Sequence, residues 1–330
     1  MYLVPKIKNI LFAVTILILS VIVIYGGLQI LESTVFSQQS NGQDQTVSKT
    51  IQRDGVSYFP KQDITTLLVM GIDEFGKPQD SGSYNNPGAA DVVFLAIFND
   101  TNKTYSILSL NRDTMLDMPV LGIGGKQAGT RYAQLGLAHT YGNGLESSCI
   151  NVTDTVSDFL YGATIDYYLS MRMDAIAIIN DAVGGVEVTI DPAEDFSEID
   201  DTLQPGTIRL NGQQALHYIR ARKGVGDQLN LSRMSRHEKY LEGFHNALKQ
   251  MEAQGKDVSL DIYEQVSDYM ISNCSTSTLS KLTSRFSEYA LSEVVIPQGE
   301  YVRGEKFMEY YVDQDALDDI ILRLLYSPKK

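Results

Sequence analysis

Aliphatic runs without polar breaks alternate along this chain with amphipathic stretches, and their order sets the expected fold. Ile64–Gly71 (ITTLLVMG), Asp91–Phe98 (DVVFLAIF) and Tyr105–Leu110 (YSILSL) are too short and too aliphatic for surface helices. They predict strands covered on both faces. Asn99-Asp100-Thr101-Asn102 supplies a turn between the second and third. Tyr167–Arg172, the alternating Val186–Ile190 and Val294–Ile296 predict further strands. Helical spacing recurs over Leu135–Tyr141, Asn151–Leu160, Asp174–Val183, Arg233–Gln250 and Gln314–Leu325. Gly184-Gly185 stops the third of these. Leu210–Arg222 predicts a short helix and then a strand carrying Arg220 and Arg222. Strands interleaved with helices make this an α/β layered domain around a mixed central sheet.

The N-terminal pattern differs. Ile10–Leu28 carries no charged residue, and roughly 20 apolar residues cross a bilayer core. Lys6 and Lys8 precede it and Glu32 follows, which places the N-terminus in the cytoplasm. A cleaved signal peptide is the competing expectation, with Gly26-Gly27 as a weak cleavage signal. The expected organisation is a cytoplasmic N-terminus and membrane anchor over 1–31, a polar flexible stalk over 32–60, and one extracellular domain over 61–330. Cys149 and Cys274 permit one disulfide outside the membrane, or two buried thiols.

Charge sharpens the picture. The formal net charge is -14, yet five of the 27 Lys and Arg residues fall between 220 and 236: Arg220, Arg222, Lys223, Arg233 and Arg236. Guanidinium forks gathered on an acidic chain suit a polyanionic ligand, above all phosphate. On a strand, Arg220 and Arg222 would share a face about 6–7 Å apart. Arg233 and Arg236, three apart, would share a helix face. Asp73 follows the first strand, Asp91 opens the second, and Arg112-Asp113-Thr114 follows the third, where α/β sheets place their sites. If the first two strands are parallel, or the loop between them folds back, Asp73 and Asp91 share a hard cation such as Mg²⁺; otherwise they are ordinary loop residues. A strongly acidic chain without interleaved aromatic residues excludes nucleic acid as the expected partner. Neither a Walker-type loop nor a dinucleotide turn is present, and the four His fit no metal spacing.

The anchor, Gly71-Ile72-Asp73, Asn111-Arg112-Asp113-Thr114, Gly184-Gly185-Val186, Leu210-Asn211-Gly212-Gln213-Gln214-Ala215-Leu216, Arg220-Ala221-Arg222 and the Arg233/Arg236 helix together resemble the LytR-CpsA-Psr family. That resemblance implies a three-layer α/β/α sandwich and a phosphotransferase of the bacterial cell envelope. Such an enzyme moves a glycopolymer (teichoic acid, capsule or a similar anionic polysaccharide) from a polyprenyl-pyrophosphate carrier to peptidoglycan. It further implies Asp73 and Asp91 as ligands of Mg²⁺ (or Mn²⁺), and Arg112, Arg220, Arg222, Arg233 and Arg236 on the pyrophosphate. Asp113 would orient Arg112 or act near the attacking hydroxyl. A monomer at the cell membrane of a Gram-positive-type envelope is expected. Ala89, Asn230 and His237 stand where many members carry Arg, an acid and Gln. The alternatives are a non-catalytic binder or sensor of anionic polymer and a metal-dependent pyrophosphatase.

Overall fold

The aliphatic runs lie side by side in the middle of one sheet. A computed structural model describes residues 50–221, 225, 230–254, 265–275, 277–279, 281–282, 285 and 289–329. In chain order the strands are β1 (Ile51–Arg53), β2 (Val56–Pro60), β3 (Ile64–Ile72), β4 (Ala90–Asn99), β5 (Thr104–Leu110), β6 (Met115–Leu121), β7 (Gln127–Gln134) and β8 (Tyr167–Arg172). There follow β9 (Val186–Ile190), β10 (Gly206–Leu210), β11 (Met270–Ser272), β12 (Ala290–Val295), β13 (Gly299–Arg303), β14 (Met308–Val312) and β15 (Tyr326–Pro328). The α-helices used below are α1 (Glu146–Phe159), α2 (Asp174–Ala182), α3 (Gly212–Arg220), α4 (Asn230–Ala253) and α5 (Gln314–Leu325); a 3-10 segment spans Leu135–Tyr141.

Six strands form the central sheet in the order β11-β8-β3-β4-β5-β12. β8 runs parallel to β3 and β12 parallel to β5, while the other neighbours are antiparallel, so the sheet is mixed. Alternation divides each central strand between two cores. Leu67, Val69, Phe94, Ala96 and Ile107 pack toward α2, α3 and α4. Leu68, Met70, Leu95, Ile97 and Leu108 pack toward α1, the 3-10 segment and α5. Burial on both faces is why these strands carry no polar alternation.

Two expectations need correction. Arg220 is not on a strand; it is the last residue of α3. The helix starts at a capping box: Asn211 Oδ1 accepts from Gln214 N (2.9 Å) and Gln214 Oε1 accepts from Asn211 N (3.0 Å). Buried Ala215, Leu216 and Tyr218 then hold its inner face, so the helical period continues through the arginine. A Cβ at Gly212 would meet Ala177 O at 2.7 Å, so the close approach of α3 to α2 depends on that glycine. Residues 51–60, expected in the stalk, form the β1–β2 hairpin, whose Asp54-Gly55 turn has both φ angles positive. β2 also pairs with β15 near the other end of the described chain.

The expected span Ile10–Leu28 lies outside the described residues. Among the described residues, no helix is long and apolar enough to cross a membrane. Both cysteines are free, and the Cys149 thiol contacts Ser170 Oγ at 3.4 Å.

Candidate functional site

Strands β3, β5 and β8 run in one direction and end at the same edge of the sheet, where β4 begins. β3 and β4 are antiparallel, so the strand pairing itself, with Ile72 opposite Ala90, brings Asp73 and Asp91 out together at the two ends of the long loop. Asp73 N donates to Ala89 O at 2.9 Å, closing that loop at its base. Further out, Asn86 Nδ2 donates to His139 O (2.7 Å) and Gly142 O (2.9 Å), fixing the loop to the 3-10 segment. His139 Nδ1 lies 2.7 Å from Gly88 O, and burial pushes its imidazole down to about 4. This histidine is a structural anchor.

A β-bulge aims Asp91. The β3–β4 register passes from Gly71 opposite Val92 to Ile72 opposite Ala90, so Asp91 is the extra residue. Bulges re-aim side chains in this way beside functional sites. The Asp91 side chain is only 8 % exposed and receives two guanidinium groups. Arg112 Nη1 pairs with Oδ1, and Arg233 Nη1 pairs with Oδ2 at 2.6 Å. Arg233 Nη2 also donates to Asp91 O at 3.1 Å, a two-point grip of the kind a planar fork provides.

The turn after β5 supplies the rest of the cluster. Arg112 Nε lies 3.4 Å from Asp113 Oδ1, which in turn accepts from Gln134 Nε2 at 3.1 Å. Asp113 N donates to Asn111 Oδ1 at 3.0 Å, closing the turn. Gly136 N donates to Arg112 O at 2.8 Å. A Cβ at Gly136 would stand 2.9 Å from Ala90 O and 3.3 Å from the Arg112 side chain. Arg112 is thus held between the sheet edge and the 3-10 segment by a residue that must be small.

A second, more open pair lies at the end of β3. Arg220 Nη2 meets Asp73 Oδ1 at 2.7 Å, and its guanidinium lies 4.9 Å from the centre of the Phe75 ring. Arg172, at the end of β8, approaches Glu74 Oε2 at 3.7 Å and donates to Phe75 O at 3.4 Å. Its position at a strand end beside Asp73 was the available signal for it, and only the parallel β3–β8 pairing turns that signal into proximity.

The structure therefore joins Asp91, Arg112, Asp113 and Arg233 in one contact network, with Asp73 and Arg220 paired at the same sheet edge. Arg236 stays apart from them. Fully buried, its Nε donates to Tyr218 O at 3.2 Å, its Nη2 donates to Ala221 O, and Nη1 lies 3.8 Å from Glu194 Oε1. It ties α4 to the end of α3 rather than facing a ligand. Arg222 lies outside the described residues. His237 Nε2 donates to Ile219 O (3.0 Å), and burial, with Arg233 adding to it, pushes its imidazole down to about 3.

Asp73 and Asp91 offer the hard carboxylate oxygens that Mg²⁺ prefers. Among the described residues, no group of three or more His, Cys, Asp and Glu gathers for a metal. The donor set fits an ion that completes its shell with phosphate oxygens and water, not one caged by protein alone.

Known proteins share this architecture. The chain is 25% identical over 293 residues to the polyisoprenyl-teichoic acid–peptidoglycan teichoic acid transferase TagU of Bacillus licheniformis, covering 87% of this chain and 85% of that protein. It is 29% identical over 256 residues to the TagU of Enterococcus faecalis, covering 77% and 75%. Among solved structures, protein gbs0355 from Streptococcus agalactiae shares the fold with a TM-score of 0.61 at 23% identity, over 79% of this chain and 86% of that one. TagT bound to LI-WTA does so with a TM-score of 0.59 at 23% identity, over 86% and 95%. The LytR_cpsA_psr family matches residues 25–324, almost the whole length, and this chain belongs to it.

Proposed function

We propose that this protein transfers a glycopolymer of the teichoic acid kind from a polyisoprenyl-pyrophosphate carrier to peptidoglycan, forming a phosphodiester. The names of the similar transferases support the substrate class. The observation that carries the reading is the pair of guanidiniums, Arg112 and the buried Arg233, on the bulge carboxylate Asp91, with Arg220 on Asp73 beside them. Arginines at rest on carboxylates are pre-positioned for an anionic ligand that competes for the same forks. Phosphoryl transfer needs placement and charge neutralisation more than a protein nucleophile.

In the reaction, the acceptor hydroxyl oxygen bonds to the glycan-side phosphorus and the bond to the bridging oxygen breaks. The polyisoprenyl phosphate leaves, and the hydroxyl proton passes to a basic oxygen at the site. Arg112, Arg220 and Arg233 bind the diphosphate and take up its charge, while Asp113 and Gln134 hold Arg112 in orientation. Mg²⁺, held by Asp73 and Asp91, would supply further neutralisation of the phosphate oxygens. The domain works outside the cell membrane, carried by the apolar segment Ile10–Leu28. The test is turnover of a polyisoprenyl-pyrophosphate glycan with peptidoglycan oligomers. Asp91→Ala should abolish the covalent glycan product, and chelation of divalent ions should abolish it in the wild type. A product formed undiminished by Asp91→Ala would end the proposal.

A further inference from the structure

Two hairpins stand on the turn that carries Arg112 and Asp113. Gln134, the last residue of β7, donates from Nε2 to Asp113 Oδ1 (3.1 Å) and to Met308 O of β14 (2.8 Å). Tyr310 N donates to Asp113 O at 2.9 Å, and Asn111 Nδ2 donates to the Tyr301 hydroxyl at 2.7 Å. Directly opposed residues of an antiparallel pair share a face. Tyr301 and Tyr310 are so opposed, packed edge-on with ring centres 4.9 Å apart, and Tyr310 is buried. The alternate face therefore points outward and carries Tyr311 and Val302, 39% and 47% exposed. On β7, Tyr132 is 53% exposed and shares a face with Gln134, about 7 Å along the strand.

Charge narrows the occupant. Asp117 stands opposite Tyr132 across β6–β7, and Glu309 accepts from the Tyr311 hydroxyl at 2.6 Å. The basic residues of these strands, Arg131 and Arg303, fall on the other alternation, opposite Met118 and Met308. A polyphosphate chain would be repelled here and drawn to the arginines instead. An uncharged N-acetylated sugar suits the outer face: its C–H surfaces lie on rings and its hydroxyl and amide hydrogens meet carboxylates. Exposed aromatic residues grouped in this way mark binding surfaces. We infer that the outer faces of the β6–β7 and β13–β14 hairpins, through Tyr132 and Tyr311, bind the N-acetylated glycan of the acceptor and lead it to the Arg112 side of the site. The inference rests on the transferase reading for its role, though the glycan contact is measurable without turnover.

The chain has no Trp, so Tyr132→Trp in the detergent-solubilised full chain introduces a lone reporter. Titration with chitotetraose should give a saturable fluorescence shift, and adding Tyr311→Ala should weaken it about tenfold. In the transfer assay, Tyr132→Ala should raise KM for a peptidoglycan oligomer about tenfold while leaving binding of the polyisoprenyl-pyrophosphate donor unchanged. Absence of saturable binding, or an unchanged acceptor KM, overturns the inference. A shift that instead follows protein concentration, with dimers in light scattering, assigns the surface to a second copy and overturns it as well. If the wild type binds chitotetraose but neither binds donor nor forms product, the transferase reading falls while the glycan surface stands.

Discussion

Arg233 and Arg236 lie one turn apart on α4, both buried, yet they inhabit different neighbourhoods. Arg233 faces a carboxylate at the open end of the sheet, a partner that a competing anion can replace. Arg236 faces two backbone carbonyls at the end of α3, with Glu194 near its third nitrogen. Carbonyls cannot leave, so that guanidinium is committed to the fold. Residue type and burial are the same and one helix carries both; what separates the two arginines is whether the partner is exchangeable.

The largest effect should come from the committed residue. Arg236→Ala strands two buried carbonyls and Glu194, and is expected to cost about 3–5 kcal/mol of stability. Thermal unfolding should show a drop of roughly 10 °C. Arg233→Lys should change the melting temperature less but lower the transfer rate by about 10²–10³-fold, since a lysine cannot reproduce the fork on Asp91. A rate loss for Arg236→Ala without any loss of stability would erase the distinction. Arg220→Ala removes a half-exposed pair with Asp73 and should weaken donor binding about tenfold, read as a rise in donor KM.

A pH slope in the same region adds a test of a different kind. His139 and His237 are held neutral by burial, at about 4 and about 3 against an ordinary value of 6.5. Below pH 6.5 the unfolded chain binds protons that the fold refuses, so stability is full above 6.5 and falls with acidification toward 4. Each histidine should contribute on the order of 1.4 kcal/mol per pH unit in that window. Urea midpoints between pH 7 and 5 should show the slope, and His139→Gln should flatten it by about half.

The central strands were legible because burial on both faces leaves an unbroken aliphatic run, as in Leu67–Met70 and Phe94–Phe98. The last helix was legible from its period, Gln314–Leu325 matching the expected bounds. The β6–β7 hairpin was not, since its outer residues are polar and its strand contains Pro119, tolerated in a two-stranded edge pair. Arg112, Asp113, Asp73 and Asp91 could be placed at strand ends, but whether they met depended on β4 running antiparallel to β3 and β5, which no local pattern encodes. The separate fate of Arg236 depended on where α3 ends, which is a tertiary fact.

The extra residue in β4 has a mechanical meaning. Arg233 comes from the layer of α4, whereas Arg112 is tied through Gly136 to the layer of the 3-10 segment, so Asp91 is gripped from both sides of the sheet at once. A ligand that draws either guanidinium away unfastens one layer from the other at that edge. The tie between the layers at that edge thus runs through a single carboxylate, while the two apolar cores hold them elsewhere.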